Sequence, residues 1–490
     1  MKQFNHPRSG TALITALVCA SIIALVCALA LAFIQPRYRS LHQAVSWKES
    51  LLTAEGGVEI ALNEIRKNLY DPANAFSGWQ ISADATTSTA LGQTNTSVAL
   101  GTRTLESTAL VRKGEGGQAS RAYVTIDAPR SLVDQSNTQW YRIRSLGVTD
   151  VPGAGGIAGE GQDLKLRKFD LIYDRRTGRK IMRPQAGRLV EAIAKPVGVF
   201  NMAIFGAKSV DMTDQNIVVD SYDSRDANKS TNGVYDPTKR QSNGDIATNG
   251  ELINTGGAHI YGDAFTNGGS VTKSQNVTGE ISSEFYKEML PVQMPVLPAD
   301  VGILASIQSG TTLNAAAGTP STYRISSIAL SGQSTLEIKG DPSGGVTYVQ
   351  LVVLGDLRLS GQSLINLGPG VHLRLFVVGD IDITGQGIIN PNSPLALQVY
   401  GIDRPKLADG TPSSYGTAKI AGNAGFRGTI YAPNYNIELK GGGTGDSIFG
   451  AFVGNTVRMT GVQSVHYDEA LADGGLINDY KIVSWFEDER

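Results

Sequence analysis

The amino-acid sequence predicts a mainly β protein with one long N-terminal α-helix, in which a small antiparallel sheet is followed by a β-solenoid. Three observations support this prediction. Thr11–Ile34 is an uncharged apolar run of 24 residues. Between residues 71 and 196, short segments alternate apolar and polar side chains, as half-buried antiparallel strands do. From residue 197 onward, short apolar segments and Gly-Asp turns recur about every 20–25 residues, a period typical of solenoids.

The apolar run is long enough to cross a membrane. At about 1.5 Å per residue it reaches roughly 36 Å, whereas a bilayer core is about 30 Å thick. A cleaved secretory signal has a shorter apolar core of about 7–15 residues, so a plain signal anchor and a leader cut on the cytoplasmic side are the alternatives. A helical pattern continues over Ser40–Tyr70. We expect a kink at Pro36 and a weakened helix at Gly56-Gly57.

The composition of the chain narrows the range of possible functions. The chain has 490 residues and a net charge of −2, which gives no electrostatic reason to expect a nucleic-acid partner. The two cysteines, Cys19 and Cys27, both lie in the apolar run. The body therefore has no disulfide and no cysteine-based metal site.

Two short motifs resemble a known group. Ser9–Leu17 (SGTALITAL) and Ala54–Leu62 (AEGGVEIAL) resemble the PilX-like minor pilins and the K-type minor pseudopilins. The resemblance implies that prepilin peptidase cuts after Gly10 and leaves Thr11 as the new N-terminus. Major pilins carry a glutamate at the fifth mature position, where this chain has Thr15. The resemblance therefore implies a minor or tip subunit rather than a shaft subunit.

This resemblance also implies a location and partners. The chain would be a single-pass protein of the bacterial inner membrane, with its body in the periplasm or on the cell surface or filament. Its partners would be the membrane, prepilin peptidase and other pilin or pseudopilin subunits.

The sequence divides into seven parts. These are a cleaved leader (1–10), a transmembrane and extended pilin-type helix (11–70), an antiparallel pilin-like β domain (71–196), a first β-solenoid block (197–289), a Pro-rich linker (290–300), a second β-solenoid block (301–475) and a C-terminal tail (476–490). The predicted strands of the antiparallel domain are Arg103–Val111, Arg121–Ala128, Trp140–Val148, Leu166–Tyr173 and Arg188–Pro196. The clearest repeat pairs Leu351–Leu367 with Leu375–Pro391, at an offset of 24 residues.

The body also resembles a family. Four of its segments are similar to an uncharacterised bacterial β-helix domain often found behind PilX-like N-termini; they are Phe200–Ser224, Asn243–Gly250, Gly428–Asn434 and Ser464–Leu471. At the level of fold the repeat is also similar to that of the bactofilins. The resemblance implies no particular chemistry.

Several acidic residues are candidates for catalytic or metal-binding sites. Asp356, Asp380 and Asp382 are candidate catalytic carboxylates, but Asp after Gly is also ordinary turn chemistry. The cluster His466-Tyr467-Asp468-Glu469 is interpreted as a turn that closes the solenoid. Four aspartates in Val219–Asp245 could hold Ca²⁺, but they lack the EF-hand spacing and are interpreted as a solvated loop; they are Asp220, Asp223, Asp226 and Asp236. We therefore expect no catalytic residue, no cofactor and no metal.

Two functions follow from the sequence. The first is a structural, non-catalytic minor pilin-like component of a type IV pilus or type II secretion-like assembly, which displays the solenoid. The alternative is a membrane-anchored β-helix that binds or cleaves polysaccharide, with a glycan or the cell surface as partner. The alternative rests on likeness of fold alone.

Overall fold

The computed structural model describes residues 9–70, 74–81, 87–89, 97–99, 103–113, 119–127, 130–131, 139–150, 171–173, 180–182, 185–212, 214, 216–250, 252–295, 297–316, 320–408, 410–422, 425–441, 447–461 and 464–488. It confirms a mainly β fold with one long N-terminal helix. The N-terminal elements are α1 Ser9–Tyr70, β1 Gln80–Ile81, β2 Thr87–Thr89, β3 Ser97–Ala99, β4 Arg103–Lys113, β5 Ala119–Ile126, β6 Arg130–Ser131, β7 Gln139–Asp150, β8 Leu171–Tyr173, β9 Lys180–Met182 and β10 Gln185–Gly198.

The remaining strands follow in chain order. They are β11 Ile204–Met212, β12 Val218–Tyr222, β13 Ile246–Thr248, β14 Leu252–Asn254, β15 His259–Ile260, β16 Ala264–Phe265, β17 Ser270–Thr272, β18 Ile281–Ser282, β19 Ile303–Leu304, β20 Thr311–Asn314, β21 Ser321–Ile325, β22 Ile328–Leu330, β23 Thr335–Lys339, β24 Thr347–Val353, β25 Leu357–Leu359, β26 Leu364–Leu367, β27 Val371–Val377, β28 Ile381–Ile383, β29 Gly387–Ile389, β30 Leu397–Gly401, β31 Gly416–Gly422, β32 Arg427–Gly441, β33 Ser447–Thr460, β34 Ser464–Asp468 and β35 Ile477–Asp488. Short 3₁₀ turns lie at Pro237–Lys239, Ser274–Asn276, Pro394–Ala396 and Glu469–Asp473.

An antiparallel sheet forms behind the helix, with the order β1-β4-β5-β7-β10-β35. Four of the five predicted strands lie in it, as β4, β5, β7 and β10. Of the fifth, Leu166–Tyr173, the described part is β8, which pairs with β9 in a separate hairpin. Residues 476–490, interpreted from the sequence as a tail, instead contain β35, which pairs with β10 over most of its length.

The helix packs on this sheet through one stripe of small and apolar residues. The buried positions recur every three or four residues, as one face of a helix requires; they are Ala54, Val58, Ala61, Leu62, Ile65 and Leu69. They meet a row of buried side chains on β5, β7 and β10, which includes Val124, Ile143 and Ala192.

Large parallel ladders make up the body. In the first ladder, neighbouring strands run in the order β19-β21-β24-β27-β30-β32-β33-β11-β13-β16-β18, and each pair is parallel. The predicted offset of 24 residues occurs between β24 and β27, where Leu351 lies opposite Leu375. The spacing elsewhere is not constant. Ile246 lies opposite Ala264, and Ser321 lies opposite Val349.

The two predicted blocks form one stack. β11, at the start of the first block, pairs with β33, near the end of the second. A fully buried row crosses this junction from Ile430 to Phe452, Ile204 and Ile246. The order of strands in space therefore differs from their order along the chain.

Residues 290–300 are not a linker between separate blocks. The first ladder ends at β18 on one side and at β19 on the other, so the segment that joins them must return along the stack, a length of roughly 48 Å at about 4.8 Å per strand. We call residues 290–300 the strap. Leu290 and Val292 are buried against the core. The Tyr431 hydroxyl donates to the Leu290 carbonyl at 2.8 Å, and the Asp403 N–H donates to the Val292 carbonyl at 2.9 Å.

Candidate functional site

The N-terminal half of α1 is an exposed apolar rod. Described side chains from Ile14 to Ile34 are all exposed, and α1 is long and apolar enough to cross a membrane. A helix that is apolar on every face and has no protein against it requires an apolar environment. α1 is therefore a candidate membrane anchor.

The sequence-predicted processing site lies at the beginning of this helix. Gly10 and Thr11 belong to its first turn, and Thr15 is exposed one turn later. Residues 1–8 of the predicted leader lie outside the described residues. Cleavage after Gly10 therefore stays a prediction.

The helix remains uninterrupted where the sequence predicted weakness. It runs through Pro36 and through Gly56-Gly57 as a single element. Gly57 lies directly against the sheet. A Cβ atom there would lie 2.2 Å from Ser145 Oγ and 2.8 Å from Val124 Cγ2, whereas a Cβ atom at Gly56 would meet nothing within 4 Å. Gly57 is thus a packing position, and the contact it permits offsets its poor helix propensity.

The close approach also has a counterpart on the sheet. A Cβ atom on Gly147 of β7 would lie 2.0 Å from the carbonyl oxygen of Ser50 and 2.6 Å from the Ala54 nitrogen. Helix backbone and sheet backbone are in direct contact here because Gly147 lacks a side chain. This contact fixes the direction in which the apolar rod leaves the body.

Two paired strands join the helix-bearing sheet to the parallel stack. We call β10 and β35 the neck, because β10 leads into the stack and β35 returns from it. Asp473 beside the neck accepts from Lys195 at 2.6 Å and from Arg225 at 2.7 Å. Burial raises the pKa of Asp473, but these two hydrogen bonds outweigh it and hold the pKa below its ordinary value. On the helix side, Arg66 pairs with Asp479 at 2.6 Å.

A cavity of about 630 Å³ opens beside the neck. Asn63, Arg66 and Lys67 of α1 line one wall, and Asn201 and residues 285–288 line another. Lys287 is the buried member of this set, with 9% of its surface exposed. Nothing in the sequence singled out Lys287, because one lysine in a polar segment carries no pattern.

The Gly-Asp turns are stacked on one another. The Asp356 carboxylate accepts from the Asp380 N–H at 2.9 Å, and the Asp245 carboxylate accepts from the Asp263 N–H at 2.8 Å. A Cβ atom at Gly379 would lie 2.3 Å from Asp356 Oδ1, so the glycine makes room for the carboxylate of the preceding turn. Among the sequence candidates, Asp356 and Asp380 thus bind backbone within the stack.

Asp382 belongs to a row of alternating charge. The charge ladder consists of side chains on neighbouring strands of the stack, namely Arg358, Asp382, Lys419, Glu438, Arg458 and Asp211. Positive and negative residues alternate at every step. Opposite charges directly across neighbouring strands stabilise a sheet, whereas like charges destabilise it.

The cluster at residues 466–469 does not close the end of the stack. Its strand, β34, lies inside the stack between β33 and β12. His466 Nδ1 lies 2.5 Å from Asp220 Oδ1, and His466 Nε2 lies 3.3 Å from Ser447 Oγ. The Tyr235 ring stacks on the imidazole, with ring centroids 3.7 Å apart. In the tautomer with a proton on Nδ1, the other nitrogen could accept the Ser447 proton.

The aspartates of the acidic segment Val219–Asp245 bind different partners. Asp223 pairs with Arg225, and this hydrogen bond holds the pKa of Asp223 below its usual value. Asp236 accepts from the N–H of Thr238 at 2.9 Å. Asp220 faces His466 and Tyr235. Among the described residues, no three histidine, cysteine or acidic side chains converge as a metal site would require.

These features define a class: a mainly β chain with large parallel ladders behind one helix that can anchor it in a membrane. Within the chain, residues 304–474 match a domain family of unknown function, DUF7305. The chain is also similar to the crystal structure of the competence-associated pilin ComZ from Thermus thermophilus, with 12% identity and a TM-score of 0.24, over 90% of this chain and 98% of that one. No curated protein matches the sequence.

Proposed function

We propose that this chain is a structural, non-catalytic minor pilin-like component of a type IV pilus or a type II secretion-like assembly. One observation supports the proposal most directly. α1 is a single helix with an exposed apolar half and a second half that packs through one face on an antiparallel sheet. Such a helix can lie in a membrane or among other apolar helices without unfolding the body.

The parallel ladders support a second part of the proposal, that the body is a displayed β-solenoid. Each strand pairs with the equivalent strand of the next repeat, and the buried row runs along the stack rather than across one repeat. Stacked repeats of this kind supply each other's missing core. The strap then covers part of one side of the solenoid.

The sequence around the helix start supports a processed, minor subunit. Gly10 stands directly before the apolar run, and Thr15 occupies the position of the major-pilin glutamate. A neutral residue there avoids a lone charge in lipid, which is expensive. The chain would be a single-pass inner-membrane protein before assembly, with its body in the periplasm or on the surface.

The mature N-terminus tests this proposal. Full-length protein from bacterial membranes that contain prepilin peptidase is expected to begin at Thr11 in N-terminal mass spectrometry. The Gly10→Val variant is expected to keep residues 1–10. The proposal fails if wild-type protein retains its leader, or if the variant is cut at the same bond.

The alternative is a membrane-anchored β-helix that binds or cleaves polysaccharide, and it rests on likeness of fold. Glycosidic bonds are ordinarily cleaved by a pair of carboxylic acids, whereas His466 faces one carboxylate, that of Asp220, and the Ser447 hydroxyl. The imidazole is also enclosed by Tyr235 and Phe449, and His466 is only 6% exposed. Incubation of the purified chain with bacterial and plant polysaccharides separates the two functions. Turnover would favour the enzyme, and no turnover would favour the structural role.

A further inference from the structure

Lys287 is a buried lysine at the wall of the cavity beside the neck. It lies just before the strap, and its backbone is fixed on both sides by Asn249. The Lys287 N–H donates to the Asn249 side-chain oxygen at 2.8 Å, and the Asn249 amide donates to the Lys287 carbonyl at 2.7 Å. The side chain is therefore held in one place, inside the body.

The Lys287 amine has two acceptors. Nζ donates to the Val199 carbonyl at 3.0 Å and to the side-chain oxygen of Asn201. The Phe205 ring lies 5.7 Å from Nζ and keeps that side apolar. The nitrogen is thus held against a side-chain amide at the wall of the cavity beside the neck.

Burial changes the protonation of this amine. Loss of water lowers the pKa of Lys287 to about 7, although the nearby Asp479 carboxylate raises it. A large fraction of the chains therefore carries a neutral amine at neutral pH. A neutral, desolvated lysine is a nucleophile.

We propose that Lys287 and Asn201 join in an intramolecular isopeptide bond. The Nζ lone pair attacks Cγ of Asn201, and the bond between Cγ and Nδ2 breaks. The proton released from Nζ leaves with Nδ2, so the products are one secondary amide and one ammonia. No oxidant, metal or further reactant is needed.

The position of the bond explains what it would do. It closes a loop between residues 86 apart and fastens the start of the strap to the segment that follows the neck. The cysteines lie only in the apolar helix, so disulfides cannot cross-link the body. Two reacting groups held in contact in a fixed geometry react far faster than free ones.

Mass spectrometry of the full-length chain in detergent tests the proposal. Wild-type protein is expected to be lighter, by the mass of one ammonia, than the sequence counted from its measured N-terminus. A tryptic digest is expected to contain one branched peptide with both Asn201 and Lys287, uncut after Lys287. Separate, unmodified peptides for the two residues would overturn the proposal.

Matched variants exclude other losses of ammonia, such as ring closure at Asn-Gly sequences. Lys287→Arg keeps the positive charge but cannot form the amide, and Asn201→Ala removes the electrophile. Both are expected to show no ammonia deficit from their measured N-terminus, whereas Lys229→Arg keeps the deficit. A mass deficit that persists in Lys287→Arg refutes the bond, whether or not the variant is less stable.

Discussion

Two neighbouring glycines of α1 give a controlled test of the contact between helix and sheet. In Gly57→Ala, the new methyl group would overlap Ser145 Oγ at 2.2 Å and Val124 Cγ2 at 2.8 Å. In Gly56→Ala, it would meet nothing within 4 Å. Both changes gain the same helix propensity of about 1 kcal/mol, so this gain cancels between the variants.

The difference in stability between the two variants therefore measures the cost of crowding the contact between helix and sheet. Overpacking a tight interface costs about 1–3 kcal/mol. Ser145 can rotate away, but the Val124 methyl and the Ala122 Cβ, at 3.2 Å, cannot. We therefore expect Gly57→Ala to lower the free energy of unfolding by about 1–3 kcal/mol relative to Gly56→Ala.

Tryptophan fluorescence in a urea titration measures this difference. All four tryptophans, at positions 47, 79, 140 and 485, lie in the helix and the antiparallel sheet or the turn between them, so the signal reports this unit and not the stack. Gly56→Ala is expected to be as stable as the wild type or slightly more so. Equal midpoints for the two variants would refute the contact, since only Gly57 faces the sheet.

Three further predictions concern the stack and the neck. Lys419→Glu places three acids in a row in the charge ladder and should lower the free energy of unfolding, measured by circular-dichroism melting, by about 1–2 kcal/mol. The control Lys419→Gln should lower it less. If concentrated salt does not reduce the loss in Lys419→Glu, the charge ladder is contradicted. Gly379→Ala should cost about 1–3 kcal/mol because the Asp356 carboxylate occupies the space, whereas Gly310→Ala, whose Cβ would meet nothing closer than 3.8 Å, should be near neutral. The folded pKa of Asp473 is below its ordinary value, so its contribution is present above that value and is lost as pH falls through the folded pKa. Asp473→Asn should therefore lose less stability than the wild type as the pH falls below about 4, and parallel curves would argue against the pair.

Local patterns predicted the local elements of the fold. The helix, the strands β4, β5, β7 and β10, and the 24-residue spacing of β24 and β27 all follow from periodicity over a few residues. The positions of Gly57 and Gly379 do not, because a glycine that permits close approach has the same letter as one in a loop. The atoms that face each glycine come from distant segments of the chain, so only the folded structure identifies them.

Long-range order was predicted less well. The Pro-rich composition of the strap is typical of a linker, but its alternating apolar residues, Leu290 and Val292, are buried against the stack. Residues 476–490 follow the repeats and are therefore predicted to be a tail, yet β35 within them completes the antiparallel sheet. The charge ladder cannot be predicted from local patterns, because its residues are far apart in sequence. Their charges alternate only from one strand to its neighbour.

The pairing of β11 with β33 has a consequence for how the chain can fold. β11 is made early, but one of its two edges stays unpaired until β33 is available, and β10 likewise waits for β35. A nascent chain thus carries open strand edges during most of its synthesis, a state prone to mispairing. Its contact order is correspondingly high, which slows folding. Completion of both the stack and the neck by the last strands couples their folding, so an incomplete chain would present two open edges at once to the proteases and chaperones that remove it.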